Sequence, residues 1–157
     1  MSSETGTPLG SGRFDGAAHR FRVRVYYEDT DAGGIVYHSN YLNYAERART
    51  ELLRFCGIGQ DKLRAEQGAG FAVRRCEIDY RAPARLDDEL EVCTVLSDMR
   101  GARVSAEQTI YRIAGGCAEA DWLARLQLTL ACINNDGRPV RLPDHVRSAF
   151  QGVLASP

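Results

Sequence analysis

Three carboxylates crowd one short stretch of this 157-residue chain: Glu28, Asp29 and Asp31, with Gly33 and Gly34 directly after them. The plainest reading of such a run is a solvated turn, because Asp and Gly dominate turns for local hydrogen-bonding and backbone reasons. The glycines and the helical pattern beyond them support a sharper reading. Glycines let a backbone approach a ligand closely. Helical spacing begins just after His38, so unpaired N–H groups and the positive end of a helix dipole should lie beside the acids. A carboxylate next to such donors can work as nucleophile or general base while the N–H groups stabilise an oxyanion. That set suits acyl transfer from a thioester. His38, one of three histidines, stands seven positions from Asp31 and can be structural or part of the same site. Glu46, further along the helix, can face a cleft or pair with Arg47, Arg49 or another arginine.

Other chemistries lack their markers. The chain has no G-x-S-x-G elbow, no P-loop, no H-E-x-x-H and no dinucleotide fingerprint. Cys56, Cys76, Cys93, Cys117 and Cys132 are widely spaced and odd in number, without a C-x-x-C pair. They read as small buried hydrophobes in a reducing compartment, so neither a disulfide framework nor a zinc site is expected. A net charge of -1 gives no sign of nucleic-acid binding, and no apolar run reaches the ~20 residues of a membrane span. A cytoplasmic location is expected. Lys62 is the only lysine, so a phosphate site here would use arginines.

These residues need elements to hold them. Residues 1–18, rich in Ser, Gly and Thr, read as a flexible tail ahead of one domain over 19–157. Phe21 to Tyr27 alternates like a half-buried strand and stops at the acidic loop. Ser39 or Asn40 is a plausible N-cap, and Tyr41, Leu42, Ala45, Ala48, Leu52 and Phe55 form an apolar stripe that ends at Gly57. A shorter helix around Gln60–Glu66 comes next. The remainder reads as an antiparallel meander: Phe71–Arg81, Glu89–Met99, Arg103–Ile113 and Glu119–Ile133. Leu90, Val92, Thr94 and Leu96 share one face of the second of these. In the last, Trp122, Ala124, Leu126, Leu128 and Leu130 share another. A short helix from Leu142 closes the chain. One sheet with a long amphipathic helix packed on it is an α+β domain, and exposed strand edges make homo-oligomers reasonable.

Val25-Tyr-Tyr-Glu-Asp-Thr-Asp-Ala-Gly-Gly-Ile-Val-Tyr-His-Ser-Asn-Tyr41 and Tyr44-Ala-Glu-Arg-Ala-Arg-Thr-Glu-Leu-Leu-Arg54 together resemble the acyl-CoA thioesterases of the 4-hydroxybenzoyl-CoA thioesterase class. The similarity is greatest to the branch associated with the Tol-Pal envelope system of Gram-negative bacteria. Tyr80-Arg-Ala-Pro-Ala-Arg-Leu-Asp-Asp88 and Met99-Arg-Gly101 match as well. The resemblance implies a hotdog fold, with the sheet wrapped around the long helix. It further implies a homodimer or homotetramer with active sites between subunits, and coenzyme A as part of the substrate rather than a cofactor. Acyl carrier protein is a second implied carrier. The family's catalytic carboxylate falls on Asp31, and the backbone N–H that meets the thioester carbonyl falls on His38. A histidine there departs from the tyrosine of the aromatic-acyl subtype and favours aliphatic chains. The substrate-contact set is Gly33, Gly34, Val36, Tyr37, Tyr41 and Glu46, with packing the competing role for Tyr37 and Tyr41. A hotdog hydratase or dehydratase, or a non-catalytic acyl-CoA-binding module, are the alternatives.

Overall fold

The computed structural model describes residues 10–155. Its elements are β1 (Arg13–Asp15), β2 (Ala18–Arg24), a 3-10 turn (Tyr27–Asp29), α1 (Asn40–Phe55), α2 (Gln60–Gln67), β3 (Ala69–Tyr80), β4 (Glu89–Arg100), β5 (Arg103–Ala114), β6 (Cys117–Asn134) and α3 (Asp144–Gln151). The strands form one antiparallel sheet in the order β1-β2-β4-β5-β6-β3. The α+β expectation of one sheet and one long helix holds.

Several details differ from the sequence reading. The expected 18-residue tail is ordered before its end, since β1 pairs with β2 from Arg13↔Arg20 to Asp15↔Ala18. The Phe14 ring anchors it, edge-on to His19 and Phe55 at 5.2 Å each. Residues 1–9 of that tail lie outside the described residues. The meander begins at β4 rather than β3, because β3 joins the far edge beside β6 and β2 pairs with β4. Alternation along a strand reports which face is buried but not which strand lies beside it. The stripe on α1 is rotated too: Tyr44 and Leu53 are buried, whereas Leu42 and Phe55 are 40% and 51% exposed. Tyr41, Tyr44, Ala45, Ala48 and Leu52 keep the i, i+3, i+4, i+7, i+11 spacing of one helical face, and Leu42 sits on its rim.

Leu90, Val92, Thr94 and Leu96 are all buried, as their alternation predicts. In β6 the alternation breaks at Leu123, where Ile110↔Ala124 gives way to Tyr111↔Trp122. This bulge turns both Leu123 and Ala124 inward. Trp122 instead meets Arg125 and Arg81, with guanidinium carbons 4.7 and 5.6 Å from its ring centroid.

The core divides along α1. Tyr41, Tyr44, Ala45 and Ala48 pack with Val25, Val36, Ala84, Leu90, Ile110 and Leu126. Leu52 and Leu53 pack with Leu96, Val104, Leu142, Val146 and Phe150. The first group underlies the acidic loop, and the second underlies α3.

Candidate active site

The acidic loop is a small two-stranded ribbon. Thr30 bridges Val36, the Asp31 N–H donates to the Ile35 carbonyl at 2.9 Å, and the Tyr37 N–H donates to the Asp29 carbonyl at 2.9 Å. The ribbon turns at Asp31–Gly34, where the Gly34 N–H donates to the Asp31 carbonyl and Gly34 has φ of 79°. A side chain at Gly34 would meet open space, so its backbone angle is what requires glycine. At Gly33 it is space that is short: a Cβ there would stand 3.2 Å from Asp31 Oδ1 and press on that oxygen. That oxygen accepts from the Gly33 N–H at 2.8 Å and, more weakly, from the Ile35 N–H at 3.4 Å. The loop therefore fixes Asp31 through one carboxylate oxygen. The side chain lies on the surface, and among the described residues Oδ2 takes no hydrogen bond.

Asp29, two residues earlier, has the opposite setting. It is buried, and its Oδ2 accepts from the Tyr26 N–H at 2.8 Å. Its carbonyl accepts from Asn40 Nδ2 at 2.8 Å, tying the ribbon to the start of α1. The Tyr44 hydroxyl is buried near this carboxylate without reaching hydrogen-bond geometry. Burial and Asp29 together push its pKa above the usual tyrosine value. Asp29 is a structural acid and Asp31 an available one.

His38 leads from the ribbon into α1. Its carbonyl accepts from the Tyr80 hydroxyl at 2.9 Å, and its ring lies 4.5 Å from Tyr37 and 6.4 Å from Tyr80, centroid to centroid. The N–H groups of Val36, Tyr37 and Asn40 are engaged, while among the described residues nothing accepts from the N–H groups of His38 and Ser39. From Ile35, the partner of Asp31, three residue steps along the ribbon lead to His38, roughly 10 Å at ~3.3 Å per residue. Among the described residues no hydrogen bond links Asp31 and His38.

The other expected contacts fall into three settings. Tyr37 is 50% exposed beside His38. Val36 and Tyr41 are buried in the core, the packing setting already open for Tyr41. Val36 is buried with its N–H donating to Ala84, and the Tyr41 hydroxyl accepts from the Ala84 N–H at 3.0 Å. They clamp the ribbon and helix onto the 81–88 loop; burial raises the Tyr41 pKa. Glu46 is not in an ion pair with Arg47 or Arg49 among the described residues, and Thr50 Oγ1 donates to it at 3.0 Å. It lies away from Asp31, at the lip of a mostly apolar cavity of about 180 Å³ between α1 and the sheet. Phe71, Val73, Leu96, Val104, Leu130 and Phe150 give that cavity its walls. At its polar end Arg49 Nη1 donates to Gln108 Oε1, and Gln108 in turn donates to the Ala45 carbonyl and Thr94.

Sequence reasoning missed Asp29 and Tyr80 as positioning groups. Tyr80 opens the Tyr-Arg-Ala-Pro block, but nothing in its spacing reveals a bond to His38, 42 positions earlier. The 81–88 loop depends on Arg112, which donates from Nε to Asp88 Oδ2 at 3.0 Å and from Nη2 to the Pro83 carbonyl at 2.8 Å.

The loop thus presents an exposed carboxylate, fixed by its own backbone, ahead of a long helix packed on an antiparallel sheet. Residues 25–150 match the model of the thioesterase-like superfamily. The chain is 44% identical over 131 residues to acyl-CoA thioesterase YbgC of Haemophilus influenzae, covering 83% of this chain and 92% of that protein. It is 43% identical over 133 residues to acyl-CoA thioester hydrolase YbgC of Escherichia coli, covering 84% and 95%. A probable thioesterase from Bartonella henselae superposes with a TM-score of 0.72 at 37% identity, over 80% of this chain and 99% of that one. A 4-hydroxybenzoyl-CoA thioesterase bound to 4-hydroxybenzoyl-CoA superposes with a TM-score of 0.79 at 20% identity, over 85% and 99%, and shares the fold. The chain belongs to the thioesterase-like superfamily, and it is a thioester hydrolase with the hotdog fold.

Proposed function

We propose that the protein hydrolyses acyl-CoA thioesters with Asp31 as the reacting carboxylate. The observation that carries this reading is the pairing of a loop-fixed Asp31, one oxygen free, with an uncommitted His38 N–H on the same ribbon. The N–H polarises the carbonyl and stabilises its developing negative charge. Asp31 attacks the carbonyl carbon or takes a proton from the attacking water. The exposed His38 imidazole assists the departing thiolate in this reading.

The apolar cavity behind Glu46 supports an aliphatic acyl group, as does histidine rather than tyrosine at position 38. His38 is also the feature that favours the Tol-Pal-associated branch over the aromatic-acyl subtype. Within one chain the cavity and Asp31 are separate. A homodimer or homotetramer, in which one subunit's cavity serves its partner's loop, would unite them. Acyl carrier protein is a second acyl donor in this reading, and the cytoplasm its setting. No described helix is long and apolar enough to cross a membrane.

The test is thiol release from acyl-CoAs of graded chain length by the wild type and Asp31→Asn. Release that depends on Asp31 supports the reading. Hydration of an enoyl-CoA without thiol release would replace it with the hydratase, and binding without turnover would replace it with the binding module.

A further inference from the structure

The ribbon that carries Asp31 is held on its far edge by the 81–88 loop. On one edge of its second strand the Ile35 carbonyl accepts from the Asp31 N–H. On the other edge Ile35 bridges Arg85, and the Val36 N–H donates to the Ala84 carbonyl at 2.9 Å. Any shift of Ala84 and Arg85 therefore moves Ile35 and Val36 with it. Asp31 is bonded to Ile35, and His38 follows Val36 by two residues. The 81–88 loop thus sets how the carboxylate and the His38 N–H stand relative to each other.

The backbone ties that loop at its ends and leaves its middle to side chains. The Arg81 and Ala82 N–H groups donate to the Leu123 carbonyl, and the Val25 N–H donates to the Asp88 carbonyl. Between these ties Pro83 has no N–H to give, and Asp87 sits at φ of 70°, an angle that side chains adopt reluctantly. Arg112 of β5 spans the gap. Its Nη2 donates to the Pro83 carbonyl at 2.8 Å, directly before Ala84, and its Nε donates to Asp88 Oδ2 at 3.0 Å. The same Oδ2 accepts from the Arg85 N–H at 2.9 Å, so one guanidinium fixes both flanks of Ala84–Arg85. A planar fork holds two acceptors at a set spacing, which an ammonium does not. The sheet leaves Arg112 free for this task. Pairing of β5 with β6 runs Tyr111↔Trp122 and then Ile113↔Ala118, which gives Arg112 no partner in β6. Both Arg112 and Asp88 are partly buried, so solvent screens their ion pair less than an exposed one.

We infer that Arg112 is a positioning residue for the reaction at Asp31, acting through Pro83, Ala84 and the ribbon rather than on the substrate. The inference rests on the proposed acyl-CoA hydrolysis.

The test compares wild type, Arg112→Ala, Arg112→Lys and a control, Arg20→Ala, which breaks an ion pair with the buried Glu91 away from the ribbon. Arg112→Ala should lower kcat on one acyl-CoA roughly tenfold to a hundredfold, on the scale of a misplaced reacting group, and leave KM within about twofold. Arg112→Lys should recover little of that loss. Guanidinium chloride, well below denaturing concentrations, should restore part of kcat in Arg112→Ala, and methylammonium should not. Arg20→Ala should lose stability and keep its kcat per folded molecule. Asp88→Asn keeps an acceptor and should show the same split on a smaller scale, so the comparison survives if Arg112→Ala does not fold. A loss of kcat that tracks the folded fraction and ignores guanidinium would overturn the inference, as would an unchanged kcat.

Amide hydrogen exchange gives a readout independent of hydrolysis. The Asp31 and Val36 N–H groups should exchange roughly tenfold faster in Arg112→Ala, on the scale of a lost charged hydrogen bond, while Val104 and Leu128 in the strand ladder keep their protection. Equal protection of the ribbon in both proteins overturns the positioning role even if the protein proves not to hydrolyse acyl-CoA. A wild type without thiol release, with the exchange difference present, removes the hydrolysis and leaves the clamp.

Discussion

The two ends of α1 are built on opposite principles. Its N-terminal end carries an exposed carboxylate, two glycines and an open N–H, laid over a dense layer in which Asp29, Tyr41 and Tyr44 are buried. Its C-terminal end is apolar and leaves room, with Leu52 and Leu53 against the cavity that Phe71, Leu96, Val104 and Phe150 enclose. In the proposed reading the contrast separates two tasks. A reacting carbonyl needs groups held in place, which close packing and saturated hydrogen bonds supply. An acyl chain needs volume and apolar walls, which a looser packing of large side chains supplies. A hydrolase that keeps these at different ends of one helix can change its chain preference without disturbing its chemistry.

Changes at the N-terminal end should break turnover without breaking the fold. Asp31→Asn should lower kcat by about 100- to 10,000-fold. Its Tm should stay close to wild type, because Oδ1 can still accept from the Gly33 N–H. A large fall in Tm would mean that Asp31 supports the fold. Gly33→Ala should reduce kcat roughly tenfold, as its methyl presses on Asp31 Oδ1 and tilts the carboxylate. Circular dichroism should be unchanged in that variant. His38→Ala should fall between these two, since it removes the imidazole and keeps the N–H.

Asp29→Asn, only two residues from Asp31, should act the other way. It weakens a buried charge-assisted bond to the Tyr26 N–H and should cost about 1–3 kcal/mol in chemical denaturation. Activity should then fall with the folded fraction. At the C-terminal end, Val104→Phe narrows the cavity. It should lower kcat/KM for long acyl chains several-fold, a loss on the order of 1 kcal/mol, while short chains are spared. Equal losses on all chains would remove the cavity from the acyl path.

The smallest effect concerns the N-terminal hairpin. His19 is fully buried, and desolvation pulls its pKa below the usual histidine value, although its bond to the Ser11 carbonyl opposes the shift. The unfolded chain therefore takes up a proton before the folded one does. Stability is complete above about pH 6.5 and declines as pH falls from there toward the lowered value. Tm should drop between about pH 7 and about pH 5.5, and His19→Gln should flatten that dependence.

Much of this was legible in order along the chain. The Asp-x-Asp-x-Gly-Gly block, the start of α1 at Ser39–Asn40, its end before Gly57 and the inward face of β4 all stem from local rules: turn chemistry, helical spacing, period-two alternation. The resemblance separated Asp31 from Glu28 and Asp29, and burial separates it physically from Asp29 alone, since Glu28 is exposed as well.

What only the tertiary structure decided lies between residues far apart in sequence. Strand order put β3 on the far edge, a fact no periodicity contains. Tyr80 reached His38, Ala84 met both Val36 and Tyr41, and Arg112 reached both Pro83 and Asp88. Val36 and Tyr41 support the ribbon and helix for the same reason. A sequence sets what each residue can bond to and which way it tends to face, through its own backbone and its near neighbours. Which partner it meets depends on how the sheet closes over α1, and that is fixed only when the whole apolar surface is buried at once.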